Sequence, residues 1–255
     1  MKFTLKALSL ALVATASTVT FADDAPALPF GLEFSGSAAI TTDYRFRGVT
    51  QTLADPAVQV GFQLDHSTGL YAGVWGSNVD FGGDSAHLEI DPYIGYAKTF
   101  ENLPGAPTLD VGVWYYGYPG YSETNFFEYY AGVGFESLAV EGDSLSTTIA
   151  YSNDWLGGGT NSWYYSVGYT VPFGSTGLSG VASVGYSDFQ SSDVENNNYW
   201  DWKAGLAYDF KSIDGFSAEL AAIGSSVDTS DPEEWTNRSK RGYKTGAVFT
   251  LTKSF

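Results

Sequence analysis

The last stretch of the chain alternates strictly between two kinds of side chain. Every second residue from Tyr243 to Phe255 belongs to a largely apolar set, and the residues between them are small and polar. A period of two is typical of a β-strand with one apolar face. Terminal residues of soluble domains usually fray, so such a strand needs a partner, which a closed barrel supplies by pairing its last strand with its first. The apolar positions that we interpret as the assembly signal of an outer-membrane barrel are Tyr243, Ala247, Phe249, Leu251 and Phe255.

A second long alternation lies near the start of the chain, from Leu32 to Gly48. One face carries apolar residues up to Tyr44 and Phe46, and every charge of the stretch lies on the other face. Strands of soluble proteins usually run about five or six residues, whereas a tilted membrane-spanning strand needs about ten. The pattern therefore predicts one spanning strand from Leu32 to Gly48.

Ten more alternating segments separate these two, which gives about twelve strands at a spacing suited to spanning strands. We expect their outward faces at Val58–Leu64, Tyr71–Trp75, Leu88–Tyr96, Leu109–Tyr115, Phe127–Phe135, Leu145–Tyr151, Trp163–Val171, Leu178–Tyr186, Trp200–Phe210 and Phe216–Ala222. The second of these is ambiguous, because Leu70, Ala72 and Val74 are apolar too. The predicted fold is all-β: a single closed antiparallel transmembrane β-barrel, an up-and-down meander. A secreted antiparallel sandwich is the alternative.

The connections between these segments alternate in length, as expected of outer-membrane barrels with their long loops outside. Short turns are predicted at Asp65–Gly69, Glu101–Pro107, Phe173–Gly177 and Lys211–Gly215. Longer acidic loops are predicted at Gly76–Ala86, Gly117–Asn125, Asn153–Ser162, Asp188–Asn198 and Ser225–Lys240. Aromatic residues expected to form girdles at the membrane interfaces are Tyr44, Trp75, Trp114, Trp163 and Trp200.

The first 22 residues have the composition of a secretory signal peptide. Lys2 and Lys6 precede an apolar run, and a small-residue cleavage site ends at Ala22. The expected organisation is a signal peptide over 1–22, a periplasmic lead-in over 23–31 and an outer-membrane barrel over 32–255. The chain has no cysteine, which excludes a disulfide framework and thiolate metal sites. It also has no run of eighteen apolar residues, which excludes a spanning helix.

The formal net charge of −17 argues against nucleic acid as a partner, because a phosphate backbone would be repelled. Twelve strands at ordinary spacing and tilt would enclose a backbone cylinder about 24 Å across, with about 10 Å free between side chains. That width is intermediate between filled eight-stranded barrels and open sixteen-stranded ones. A narrow pore and a plugged barrel are both compatible with it.

Charged and polar residues of the first strands are predicted to face inward near the outer mouth. Arginines opposite carboxylates can create a transverse field at a constriction, and they can equally form a salt-bridge network that only stiffens the lumen. The predicted pore-lining residues are Asp43, Arg45, Arg47, Asn78, Asp80, His87, Glu89 and Asp91.

Four sequence motifs resemble a known family. They are Thr42–Thr52 (TDYRFRGVTQT), Gly69–Phe81 (GLYAGVWGSNVDF), Glu89–Tyr96 (EIDPYIGY) and Tyr118–Gly120 (YPG). On these motifs the chain is identified as a member of the TorF-type porins, also known as Gcw_chp conserved outer-membrane proteins. The resemblance implies a barrel in the outer membrane of a Gram-negative bacterium and passive transport.

The function that we expect is a narrow porin for passive diffusion of small hydrophilic solutes. The alternative is a non-conducting barrel with a structural role, or one that binds a partner through its acidic loops. If a channel exists, the acidic loop residues Asp55, Asp84, Asp193 and Glu195 should raise the local cation concentration at its mouth. We expect outer-membrane lipids as partners, with barrel-assembly machinery and periplasmic chaperones during biogenesis.

Enzymatic activity is not expected, nor is a cofactor. His66 and His87 are the only histidines, and neither has the strained nucleophile turn of a hydrolase. The acidic loop residues Asp228, Asp231, Glu233 and Glu234 lack the glycine-centred spacing of a Ca²⁺ loop, so we expect no metal.

Overall fold

The structure is a computed structural model that describes residues 28–190, 198–229 and 237–255. The predicted signal peptide and most of the lead-in lie outside these residues. A short 3-10 helix, Pro29–Gly31, leads directly into the first strand. No helix in this described part of the chain is long and apolar enough to cross a membrane.

Twelve long antiparallel strands of the described chain close into one barrel, which confirms the predicted fold. Each long strand pairs with its neighbours along the chain, and the last pairs with the first, for example Ile40 with Leu251. The strands are β1 (Leu32–Thr41), β2 (Arg45–Phe46), β3 (Val49–Thr50), β4 (Ala57–His66), β5 (Leu70–Asn78), β6 (Leu88–Thr99), β7 (Thr108–Tyr116), β8 (Phe126–Glu136), β9 (Ser144–Trp155), β10 (Thr160–Pro172), β11 (Leu178–Gln190), β12 (Tyr199–Asp209), β13 (Phe216–Ser225) and β14 (Gly246–Ser254). β2 and β3 form a separate small sheet, and helix α1 (Asn237–Tyr243) precedes β14.

The connections lie at two ends of the barrel, which we call the turn end and the loop end. The turn end carries both the start of β1 and Phe255, together with connections 67–69, 100–107, 137–143, 173–177 and 210–215. The loop end carries connections 42–56, 79–87, 117–125 and 156–159, together with the end of β11, the end of β13 and helix α1.

The long loop predicted over Asn153–Ser162 is wrong. Strands β9 and β10 stay paired as far as Trp155 and Thr160, so only residues 156–159 connect them. Asp154 closes this tight turn, because its carboxylate accepts the N–H of Gly159 at 2.6 Å.

The outer surface of the barrel is apolar, as the alternation predicted. Ile40 and Leu220 are typical, with 60% and 57% of their surface exposed, and Trp200 also faces outward. The predicted girdle residues Tyr44 and Trp114 are instead buried inside the barrel, at 3% and 5% exposure. An outer surface of this kind requires apolar surroundings, which a lipid bilayer provides.

The ambiguous segment of β5 faces the other way from the prediction. Leu70 and Val74 are exposed on the outside, whereas Tyr71 is buried and Trp75 packs against Tyr44 in the interior at 5.3 Å. Gly73 explains this orientation: the ring of Tyr93 on β6 covers it, and a Cβ at Gly73 would collide with that ring. Inward glycine paired with inward tyrosine therefore fixes which face of β5 lines the barrel.

The first strand is shorter than predicted. β1 ends at Thr41, and residues 42–56 turn into the barrel instead of continuing the strand to Gly48. Thr41 contributes to this turn, because its hydroxyl donates to the backbone carbonyl of Asp43 at 3.1 Å. Side chains from both faces of the predicted alternation, such as Tyr44 and Arg45, are consequently buried in the interior.

The last strand begins later than predicted, because Tyr243 belongs to α1 and β14 starts at Gly246. Phe255 lies just beyond β14, yet its backbone still closes the barrel. It accepts the N–H of Gly36 at 2.9 Å and donates to the carbonyl of Gly36 at 3.0 Å. The terminal residue thus extends the seam between the first and last strands.

Candidate functional site

A small hairpin folds into the interior of the barrel from the loop end. We call residues Arg45–Thr50 the inner hairpin: β2 and β3 pair, and Arg47 and Gly48 form the turn between them. Both turn residues have positive φ, 49° and 79°, as a two-residue turn of type I′ requires. Glycine accepts this conformation readily, whereas it costs an arginine about 1–2 kcal/mol. The contacts of the Arg47 side chain offset that cost.

The base of the inner hairpin is held by an internal ion pair. The Nε of Arg45 donates to Asp43 at 2.6 Å, and the hydroxyl of Thr50 donates to the same carboxylate at 2.6 Å. Arg45 also donates from Nη1 to the carbonyl of Lys244 at 2.8 Å and from Nη2 to that of Arg241 at 3.4 Å. Arg45 therefore anchors the hairpin on the segment before β14.

The tip of the inner hairpin reaches the opposite wall. Arg47 donates from Nη2 to both carboxylate oxygens of Glu128 on β8, at 2.7 Å each. Its guanidinium lies over the ring of Tyr164 on β10, 3.9 Å from the centroid, and near the rings of Phe46 and Trp155. A charged pair enclosed by aromatic faces is strongly favoured over an unpaired charge at the same place. The pair closes the gap between hairpin and wall.

Two further carboxylates lie beside the hairpin on the inward face of β6. Glu89 accepts the hydroxyl of Tyr118 at 2.7 Å, and Asp91 accepts the N–H of Gly117 at 3.2 Å. Both are almost fully buried, at 2% and 1% exposure. They place two acidic groups at the level where the hairpin crosses the lumen.

Aromatic rings in mutual contact line the wall that faces the hairpin. They connect Tyr93 with Trp114 at 4.3 Å, Tyr116 with Phe126 at 4.5 Å, and Phe126 with Trp155 at 4.8 Å between ring centroids. Phe46 of the hairpin packs on this wall, 5.7 Å from Tyr116. The loop-end half of the lumen is thus closely packed, and the exposed fractions of its side chains are small.

The turn-end half of the lumen is different. Its wall on β9, β10 and β11 consists of small, mostly hydroxyl-bearing residues that are partly exposed to solvent: Ser144, Ser146, Thr148, Ser166, Gly168 and Ser183. On the opposite wall the hydroxyl of Tyr71 donates to Asp110 at 2.6 Å and contacts that of Tyr130. Water therefore reaches the part of the lumen between the inner hairpin and the turn end, along this wall of small residues.

The structure brings five of the eight predicted pore-lining residues together inside the barrel: Asp43, Arg45, Arg47, Glu89 and Asp91. The inward placement predicted for Asn78 is wrong, because the side chain is exposed on the outward face of β5 and bonds the backbone of Val58 at 2.8 Å. The inward placement predicted for His87 is also wrong, because this residue is exposed at the loop end of the barrel. The backbone N–H of Asp80 donates to the carbonyl of Gln51, in the connection 42–56, at 2.8 Å. A role in conduction stays a prediction for all eight.

Several lumen residues were not predicted, although the sequence carried a signal for them. Glu128, Asp110, Asp201, Lys203 and Glu219 are buried inside the barrel. Each is a charge between outward apolar residues of an alternating strand, which places it inward. Lys203 and Glu219 pair at 3.2 Å.

The described residues bring together neither the two histidines nor a set of metal ligands. His66 lies at the turn end and His87 at the loop end, so the two histidines cannot act together. No group of three or more acidic or histidine side chains is placed to hold a metal ion in the described chain. Asp228 is described, whereas Asp231, Glu233 and Glu234 lie outside the described residues, as do Asp193 and Glu195.

Comparisons with known proteins agree on the fold. A family model described as "Bacterial protein of unknown function (Gcw_chp)" matches residues 25–255. No curated protein matches the sequence. Among solved structures, the NanC porin aligns with a TM-score of 0.53 at 9% identity, over 86% of this chain and 98% of that one. The KdgM porin, solved in complex with disordered oligogalacturonate, aligns with a TM-score of 0.55 at 7% identity, over 87% of this chain and 98% of that porin.

Proposed function

Because the chain belongs to the Gcw_chp family of bacterial proteins, and because it folds as a closed barrel with an apolar outer surface, we propose that it is a narrow channel in the outer membrane of a Gram-negative bacterium. Small hydrophilic solutes cross it passively. The TorF-type assignment is part of this proposal, and its motif Thr42–Thr52 is the segment that contains the inner hairpin. Its partners would be outer-membrane lipids, and barrel-assembly machinery and periplasmic chaperones during biogenesis.

The observation that carries the proposal is the partly exposed hydroxyl wall in the turn-end half of the lumen. A barrel with a purely structural role needs no wet interior, and eight-stranded barrels fill theirs with side chains. Here small residues such as Ser146 and Ser183 leave space on one side of the lumen. Hydroxyl side chains can replace the water that a polar solute loses on entry.

The charge of the lumen favours neutral and cationic solutes. Among the described residues, Asp43, Asp65, Glu89, Asp91, Asp110, Glu128, Asp201 and Glu219 are buried there together with three basic side chains, Arg45, Arg47 and Lys203. An excess of carboxylates raises the local concentration of cations and repels anions, most strongly at low ionic strength. An acidic oligosaccharide, such as the one in the KdgM complex, would be disfavoured.

The alternative is a non-conducting barrel, and the close packing around the inner hairpin is the observation that favours it. The acidic residues Asp55 and Asp84 are exposed at the loop end and would then serve a binding partner. Conductance of the refolded protein in a planar bilayer separates the two functions. We expect small single-channel conductance, and its complete absence would support the non-conducting barrel.

Selectivity gives a sharper test of the channel. We expect a weak cation preference, measured as a reversal potential across a salt gradient, that declines as ionic strength rises. Arg47→Ser should strengthen this preference, because it removes a positive charge from the tip of the hairpin. Lys98→Ser is the control, since Lys98 is exposed on the outside of the barrel. An equal reversal potential in wild type and Arg47→Ser would mean that Arg47 does not line the conducting path.

A further inference from the structure

Arg47 has two carboxylates within reach, on different walls of the lumen. Its current partner is Glu128 on β8, at 2.7 Å. Asp201 on β12 lies next to the tip of the inner hairpin: a Cβ built on Gly48, the neighbour of Arg47, would be 2.9 Å from the Cβ of Asp201. Since adjacent Cα atoms are about 3.8 Å apart, Asp201 is well within the span of the Arg47 side chain. The charges of the two residues also interact electrostatically.

The present arrangement leaves hydrogen-bonding capacity unused on both of these residues. The Nε of Arg47 and the Oδ2 of Asp201 are buried, and neither has a hydrogen-bond partner. Buried polar atoms nearly always have partners in folded proteins, so an exception calls for a physical explanation. One donor and one acceptor left over on neighbouring residues indicate a second arrangement in which they meet.

Tyr164 connects the two arrangements. The guanidinium of Arg47 rests on its ring, and its hydroxyl donates to the Oδ1 of Asp201 at 3.3 Å. A guanidinium that moves from Glu128 to Asp201 crosses the face of this ring and keeps its cation–π contact on the way. The movement needs rotation of one side chain, with the turn of the hairpin in place.

We propose that Arg47 is the moving part of a two-position gate, in which it exchanges Glu128 on β8 for Asp201 on β12. Bound to Glu128, the side chain closes the gap between the tip of the hairpin and β8. Bound to Asp201, it lies against β12 and leaves that gap to water and small solutes. The gate rests on the proposed channel function and adds to it a closed and an open state.

Two conservative substitutions test the gate, because it predicts opposite effects for them. Glu128→Gln weakens the closed pairing and should raise the open fraction in single-channel records, by about tenfold for the change from a charged to a neutral hydrogen bond. Asp201→Asn weakens the open pairing and should lower the open fraction by a similar factor. Each substitution removes one negative charge from the lumen, so an effect of lumen charge alone would move both variants in the same direction.

Three further variants complete the experiment. Glu128→Gln with Asp201→Asn should return the open fraction towards wild type, and Arg47→Gln should abolish switching between the two levels. Glu219→Gln, at the ion pair with Lys203, is the matched control and should leave the open fraction unchanged. Heat-modifiable migration on gels checks that each variant folds. If Glu128→Gln does not fold, Asp201→Asn and Arg47→Gln still test the gate.

The outcomes separate the gate from the channel. Conduction with equal open fractions, or with both single variants shifted in the same direction, would overturn the gate and leave the channel intact. A variant in which Gly-Gly replaces Arg45–Thr50 lacks the hairpin altogether. Absence of conductance in every variant, this one included, would overturn the channel and the gate with it.

Discussion

Backbone conformation and side-chain contacts together determine where individual residues lie in this barrel. Arg47 occupies a left-handed conformation that disfavours any residue with a Cβ, and its side chain is enclosed by three aromatic rings and Glu128. The inward charges Arg45 and Arg47 could be predicted, because alternation places every charge of Leu32–Gly48 on one face. Their different roles could not be predicted, because these roles depend on the turn at Arg47 and Gly48, which the alternating pattern does not reveal.

Asp143 is a second residue whose surroundings determine its chemistry. It ends the turn-end connection 137–143, and its carboxylate accepts the hydroxyl of Tyr169 at 2.7 Å. It also accepts backbone N–H groups from Leu138, Ala139 and Val140. These hydrogen bonds, that of Tyr169 first, lower the pKa of Asp143 to about 2.

This lowered pKa predicts a pH dependence of stability. The folded value of about 2 lies below the value of about 3.9 of an unfolded chain. The contribution of Asp143 is therefore fully present above the unfolded pKa and is lost as the pH falls through the folded one. We expect the urea midpoint of the protein in detergent to fall between pH 5 and pH 2, and to fall less in Asp143→Asn. Glu141→Gln, in the same connection, should behave like wild type; an identical pH dependence in Asp143→Asn would contradict the prediction.

At the scale of elements, alternation predicted the strands well because the two sides of a spanning strand face chemically opposite surroundings. It did not locate the inner hairpin, since residues 43–50 lie in the interior and both faces of their alternation are buried or half-buried. β5 was ambiguous for a related reason: its inward face carries Tyr71 and Trp75, which look like lipid-facing residues. Packing of Gly73 against Tyr93 on the neighbouring strand decides the orientation of β5, and that information is not local in sequence.

The terminal residue Phe255 belongs to the seam between β14 and β1. Its ring lies close to Gly36 and near Phe62, 6.4 Å away between centroids. If the ring is the assembly signal, Phe255→Ala and deletion of Phe255 should both lower insertion into the membrane of cells several-fold. Refolding in pure detergent should change little, because the rest of the seam remains. Phe30→Ala, an exposed phenylalanine just before β1, is the control; normal insertion of both Phe255 variants would count against the signal.

At the scale of the whole molecule, closure of the sheet should make unfolding cooperative. Every long strand is paired on both sides, so no edge is available from which to unravel. We therefore expect heat-modifiable migration on gels and β-rich circular dichroism in detergent. Leu251→Pro should abolish the fast-migrating form, because proline removes a hydrogen bond from the middle of β14, whereas Leu251→Ala should retain it. A soluble monomer that refolds without detergent would contradict the barrel.

The anchoring of the inner hairpin has a consequence for the order of events during biogenesis. Arg45, shortly after β1, is held by the carbonyls of Arg241 and Lys244, which follow β13 in the chain. The inner hairpin can therefore reach its final position only after β14 has paired with β1. Closure of the wall and filling of the lumen are then coupled, because the segment that holds Arg45 leads directly into β14.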